Sequence, residues 1–224
     1  MYNASGANEL FGGFFDLGEQ LLAKAPKKRT VFFSFHFADV FRVDNVRGAF
    51  GPSSSYSPHF VDGSIWERSK AEGSDGIKRV IREGMEGSSV VCVLVGSETW
   101  SRPWVRYEIA RSVIDGKGLL AVQINGIRHH GEKQYQRWGF NPLDHMGVAQ
   151  LHDGSFRLCE RDYAEWRFYR EYSLSVPLPR YLPKPNPGFV TPLSRSTLER
   201  DYAMHSGHAN IGLWIDAAAQ AAGR

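Results

Sequence analysis

Six consecutive apolar residues, Val90-Val-Cys-Val-Leu-Val95, stand between Ser88-Ser89 and Gly96 with no polar residue among them. Side chains of a strand point alternately to the two faces of its sheet, so a run that is apolar at every position needs cover on both faces. The pattern predicts a buried strand over Ser89–Val95, central in a parallel sheet with helices on either side.

The flanking segments fit that frame. Thr30-Val-Phe-Phe-Ser-Phe-His-Phe37 is rich in strand-favouring residues and predicts the first central strand. Val40 to Phe50 has helix-compatible spacing, Gly51-Pro-Ser-Ser-Ser55 is a loop by composition, and His59-Phe-Val-Asp62 predicts a short second strand before an irregular stretch from Gly63 to Ser74. Asp75 suits the cap of a helix over Gly76–Glu83, whose Ile77, Val80 and Ile81 form one apolar stripe. A helix over Ser101–Asp115 and a strand over Leu119–Ile124 follow the buried run. Such alternation predicts a parallel sheet with right-handed crossovers.

From Asn125 to about Leu198 the periodicity is broken by Pro142, Pro177, Pro179, Pro183, Pro185, Pro187 and Pro192. Only Phe168 to Val176 reads as strand there, and Pro177 to Pro192 predicts an extended wrap over the surface. Asn210 is placed to cap a last helix, Ile211–Ala222, with Trp214, Ile215, Ala218 and Ala222 on one stripe. The expected organisation is a tail with a short helix at 1–28 and one domain at 29–224. That domain divides into a core at 29–126, an irregular Pro-rich insertion at about 127–200 and a terminal helix at 210–223. In the tail, Leu10, Phe14, Leu17 and Leu21 recur at helical spacing, which suits docking on the chain's own domain, self-association or membrane contact.

Composition narrows function by exclusion. The chain of 224 residues has a formal net charge of +3, its Lys and Arg interspersed with acids, so nucleic-acid binding is not expected. No apolar stretch reaches the roughly 18 residues that cross a bilayer, and Glu9, Asp16 and Glu19 interrupt any secretory signal. Cys92 and Cys159 have neither disulfide-framework nor zinc-ligand spacing. A cytoplasmic protein with reduced cysteines and no membrane partner is expected. His205-Ser-Gly-His208 and His129-His130 lack clustered Cys or carboxylates, so no metal is expected. Without a G-x-G-x-x-G, P-loop or H-E-x-x-H motif, a Rossmann dehydrogenase, an NTPase and a zinc hydrolase are disfavoured.

Within Ser101-Arg-Pro-Trp-Val-Arg-Tyr-Glu-Ile-Ala-Arg-Ser-Val-Ile-Asp115, Glu108 follows Trp104 by one helical turn. A carboxylate beside an indole, near the carboxyl end of a buried parallel strand, is suited to hold a cationic sugar transition state. The spacing alone is weak. Glu108 and Arg111 could equally form a surface ion pair, and Trp104 could be a core anchor of its helix.

Four segments in order give the spacing its context: Phe33-Ser-Phe-His36, Phe60-Val-Asp62, Ile77 to Gly96, and Ser101 through Glu108. They resemble the TIR domains. The resemblance extends to the TIR-like proteins of bacterial Thoeris antiphage systems through Ser34-Phe-His-Phe-Ala-Asp39, Asn45-Val-Arg47, Arg102-Pro-Trp-Val-Arg-Tyr-Glu-Ile109 and Asn210-Ile-Gly-Leu-Trp-Ile215. It covers residues 29 to 126 and the last helix, roughly half the chain. The resemblance implies an α/β, flavodoxin-like parallel sheet flanked by helices, with an insertion before the last helix. It also implies cleavage of the nicotinamide–ribose bond of NAD, which is substrate and not cofactor, with release of a cyclised ADP-ribose signal. Glu108 would be the catalytic glutamate and Trp104 its aromatic neighbour. A downstream effector that takes the nucleotide product, a phage-derived trigger and a homo-oligomer are the further partners implied.

The chemistry asks little of the protein. Nicotinamide leaves a cationic precursor as a neutral pyridine, so one carboxylate, ionised at pH 7, can suffice. Phe35, His36 and Phe37 end the first strand, where ligand-lining side chains arise, and His36 either contacts phosphate or ribose or caps the strand. Asp39, Asn45 and Arg47 are candidate substrate contacts, although Arg47 could pair with Asp44 or Asp39. Asp62 ends the second strand and either meets the nucleotide or holds its loop. Ser97 could donate to a phosphate or simply make a turn. Two other classes fit the same frame. One is an interaction and oligomerisation module without chemistry. The other is a nucleoside-processing transferase with Asp62 as a second acid opposite Glu108.

Overall fold

A computed structural model of the protein describes residues 28–52, 54–60, 73–128, 131, 134–162 and 164–224. Its centre is a five-stranded, wholly parallel sheet in the order β2-β1-β3-β4-β9. The strands are β1 (Arg29–Phe35), β2 (Tyr56–Phe60), β3 (Val90–Val95), β4 (Gly118–Gln123) and β9 (Leu198–Asp201). This is the flavodoxin-like order, with helices α1 (Val40–Arg47), α2 (Gly73–Met85), α3 (Pro103–Ile114) and α4 (Gly207–Ala221).

The apolar run behaves as its composition requires. Val91, Val93 and Val95 join Ile77, Ile81, Val105 and Ile109 of α2 and α3 on one face. Val90, Cys92 and Leu94 join Val43 and Val46 of α1 and Ile211, Trp214 and Ile215 of α4 on the other. Every residue of β3 is fully buried. Cys92 and Cys159 are both free and buried.

The same alternation fixes β1. Val31 and Phe33 pack on the α1/α4 side and Phe32 on the α2/α3 side, so Ser34 also faces α3.

The stretch from 127 to 200 departs from the expected irregular insertion. It carries a second, antiparallel sheet in the order β7-β6-β5-β8. Its strands are β5 (Met146–Gln150), β6 (Phe156–Asp162), β7 (Glu165–Phe168) and β8 (Val190–Pro192). β7 stops where a strand over Phe168–Val176 was expected to begin, and only an isolated bridge joins Val176 to Phe156. Charge hid this sheet: Glu160 of β6 meets Arg167 of β7 and Arg106 of α3, so alternating positions are ionic and not apolar. Leu182 lies buried in the core, so the Pro-rich wrap is anchored as well as superficial. β9 then completes the main sheet beside β4.

Helix ends also shift. α2 begins at Gly73, which leaves Asp75 in its first turn and not at its cap. α4 begins at Gly207, so Asn210 lies inside the helix and its amide donates to the His205 carbonyl at 2.9 Å. The second strand runs Tyr56–Phe60, earlier than the expected His59–Asp62. The tail helix, Asp62, most of 63–74 and the His129-His130 pair lie outside the described residues.

Candidate active site

In an open α/β sheet, ligands bind beyond the carboxyl ends of the strands, where the chain leaves neighbouring strands in opposite directions. Here that point lies between β1 and β3, because β1 leads outward to β2 while β3 leads to β4. The turns at His36–Asp39 and Gly96–Thr99 therefore border the crevice that this topology predicts.

Glu108 is buried on α3 and accepts a hydrogen bond of 2.5 Å from the Ser34 hydroxyl. It makes no pair with Arg111, which bonds Asp115 at 2.6 Å. Its burial has a visible cause: α3 packs against β1, β3 and β4 on one side and against β5 of the second sheet on another. Burial pushes the Glu108 carboxyl up to about 8, and the Ser34 hydrogen bond, which favours the ionised form, offsets this only in part. Sequence reasoning expected a carboxylate ionised at pH 7. With its pKa raised to about 8 it is mostly protonated there, because packing and not position in the chain sets its solvation.

A second buried acid lies at the end of β1. Asp39 is 1% exposed, and its carboxyl rests on Gly96, where an added Cβ would come within 2.1 Å of Oδ2. Its Oδ1 accepts 2.8 Å from the Gln136 amide, while Oδ2 is buried with no hydrogen-bond partner among the described residues. Burial raises the Asp39 pKa, against lowering by the Gln136 hydrogen bond and by His36, Arg42 and Arg102. His36, half-buried beside it, has its pKa lowered by burial and by Arg102. Its imidazole is therefore neutral at pH 7 and can donate or accept a hydrogen bond.

The other expected positions scatter around this centre. Phe35 is half-buried and meets Phe60 edge-on with ring centroids 6.3 Å apart, whereas Phe37 is 54% exposed. Asn45 is exposed, and its amide donates to the Phe41 carbonyl at 3.1 Å. Arg47 pairs with Asp44 at 2.9 Å and lies over the Phe60 ring, so it does not reach Asp39. Ser97 contributes its backbone N–H to the Gln136 side chain at 3.2 Å. Trp104 packs against the α2/α3 core and edge-on to Tyr107, the anchoring arrangement. Ser34 and Glu108 thus meet between β1 and α3, His36, Asp39 and Ser97 lie on the turns that follow β1 and β3, and Asn45 and Arg47 engage neighbours on α1 and β2.

Sequence reasoning missed two participants. Ser34 could have been found, since it is the polar residue in the apolar run of β1 and shares the parity of Phe32. Gln136 carried no signal, because it sits in a segment without periodicity. Among the described residues, no group of three or more His, Cys, Asp or Glu is placed to hold a metal. His205 is occupied, its Nδ1 accepting the Asp201 backbone N–H at 2.9 Å. No helix of the described residues is long and apolar enough to cross a membrane.

Residues 32–129 match the family model of the Thoeris protein ThsB, TIR-like domain. Over 193 residues the chain is 32% identical to a protein of Bacillus cereus (strain MSX-D12) named as a candidate cyclic ADP-D-ribose synthase, ThsB1, covering 84% of this chain and 99% of that one.

Proposed function

Because the chain belongs to the TIR-like family of the Thoeris protein ThsB, we propose that it consumes NAD, breaking the nicotinamide–ribose bond and closing the remaining ADP-ribose on itself. The observation that carries this is Glu108: a buried carboxyl at the switch-point crevice, bonded to Ser34 and faced by no cation among the described residues. An acid in such a place destabilises the resting protein whenever it ionises. A cationic ligand removes that penalty.

The pyridinium of NAD is such a cation. As it docks, the neighbouring positive charge favours the ionised form of Glu108, so the carboxylate forms in the complex where it is used. The C1′–N bond then breaks, its electron pair leaving with nicotinamide, and positive charge passes to the ribose ring. A carboxylate in a dry site stabilises that charge far better than one in water. A ring nitrogen or hydroxyl of the same molecule next gives a lone pair to C1′, and a proton, from the hydroxyl itself or from the exocyclic amine of the alkylated adenine, passes to the carboxylate. Ring closure outcompetes water when the nucleophile is held near the reacting carbon.

The neutral His36 and the Ser97 hydroxyl supply donors for phosphate or ribose. Phe35 and Phe37 offer ring faces to the nicotinamide or adenine, while Trp104 anchors the helix that carries Glu108. The cyclic product would serve as the signal to a downstream effector in antiphage defence. The test is to incubate the protein with NAD, alone and with extract of phage-infected cells, and follow nicotinamide release and product mass. Wild type should yield nicotinamide with a product of cyclic ADP-ribose mass, and Glu108→Gln should lose roughly 10²-fold or more in rate. Equal rates for the two would leave the frame as an interaction module.

A further inference from the structure

The insertion reaches back to the crevice. From the segment after β4, Gln136 donates through Nε2 to Asp39 at 2.8 Å, and its Oε1 accepts from the Ser97 backbone at 3.2 Å and from the Asn125 amide at 3.3 Å. Its own backbone N–H bonds the Asn125 carbonyl at 3.1 Å, and the Asn125 amide also bonds the Arg137 carbonyl at 2.7 Å. One side chain therefore joins the turn after β1, the turn after β3 and the loop after β4. Three residues on, Gly139 lies directly on the Gly96 carbonyl, where an added Cβ would come within 1.9 Å.

We propose that Gln136 is a positioning residue for the nucleotide site, holding the β1 and β3 turns at the spacing that NAD requires. The claim rests on the NAD-consuming reading above. Asp39 is the partner through which it acts. Oδ1 is fixed by Gln136, and Oδ2, over Gly96, has no hydrogen-bond partner among the described residues, so beyond the charges of His36, Arg42 and Arg102 the amide is the one directional contact that holds the carboxyl there. Loss of the amide frees Asp39 to seek water, and the His36–Asp39 turn moves with it. Glu108 depends on Ser34 instead, so its chemistry is left in place.

A double-mutant cycle tests this on the full chain. Gln136→Ala is expected to raise KM for NAD about tenfold while kcat stays within about threefold, the pattern of lost ground-state positioning. Asp39→Ala should do the same, and the double variant should be little worse than either alone. Asp39→Asn, whose carbonyl still accepts from Gln136, should restore a KM near that of wild type. NAD affinity measured in the slow Glu108→Gln background should weaken in parallel with KM. A fall in thermal stability with KM unchanged, or additive effects of the two Ala variants, would overturn the role. A wild-type protein that neither binds nor consumes NAD would overturn the reading beneath it as well.

Discussion

Ser34 and Glu108, 74 residues apart in sequence, meet through a hydrogen bond of 2.5 Å between β1 and α3, both side chains shielded from water. The bond supports the ionised form of an acid that burial otherwise keeps protonated. Proton occupancy at this one group therefore links activity, pH and stability.

If ionised Glu108 is the working form, kcat/KM for NAD should climb about tenfold per pH unit on the acid side and level off near pH 8, since this parameter reports the free enzyme. At saturating NAD the limb in kcat should lie at lower pH, because the bound pyridinium favours the carboxylate. Initial rates from pH 6 to 9 decide the matter. A profile flat across that range would count against Glu108 as the titrating group.

Ser34→Ala removes a donor to the ionised carboxylate, so the pKa of Glu108 should move further up. At pH 7 the rate should fall about ten- to a hundredfold, the value of one hydrogen bond to a charged group. It should recover as pH is raised past the displaced limb. A uniform loss at all pH values would instead mean that the serine acts on substrate.

Glu108→Gln should stabilise the fold while slowing the reaction. The sign follows from the shift: the folded pKa of about 8 lies above the ordinary 4.5, so the native state holds a proton that the unfolded chain gives up. Stability from this group is complete below pH 4.5 and is lost as pH rises through 8. Between pH 5 and 8 the loss amounts to roughly 3 kcal/mol, and the neutral amide escapes it. Thermal melts should show the variant several degrees above wild type at pH 8, with a smaller gap at pH 5. An equal gap at both would indicate a packing effect.

These properties were unequally legible in the sequence. Val90 to Val95 announced a strand covered on both faces, and the structure supplies that cover from α2 and α3 on one face and α1 and α4 on the other. Leu198-Glu-Arg-Asp201 gave no such sign, because an edge strand can carry charge, and only pairing with β4 makes it part of the sheet. Glu108 was found by its spacing to Trp104 and its neighbours in order. Its protonation was not, since the desolvation comes from packing that includes β5, a strand obscured by ionic β6 and β7. Gln136 acts through contacts with residues 39 and 97, far away in the chain and without periodic trace.

Gly139 offers a test that avoids every ionisable group. A Cβ there would meet the Gly96 carbonyl oxygen at 1.9 Å and the Ser97 Cα at 3.0 Å, backbone atoms that cannot swing aside. Gly139→Ala must therefore lift residues 134–140 from the β3 turn or move the turn itself. Overpacking of this kind costs about 1–3 kcal/mol, so the melting temperature should fall by several degrees. The displaced segment carries Gln136, and KM for NAD should rise along with the loss of stability. Gly51→Ala is the control, because its Cβ would meet nothing within 4 Å. If Gly139→Ala lowers the melting temperature but binds NAD as wild type does, the segment supports the fold without shaping the site.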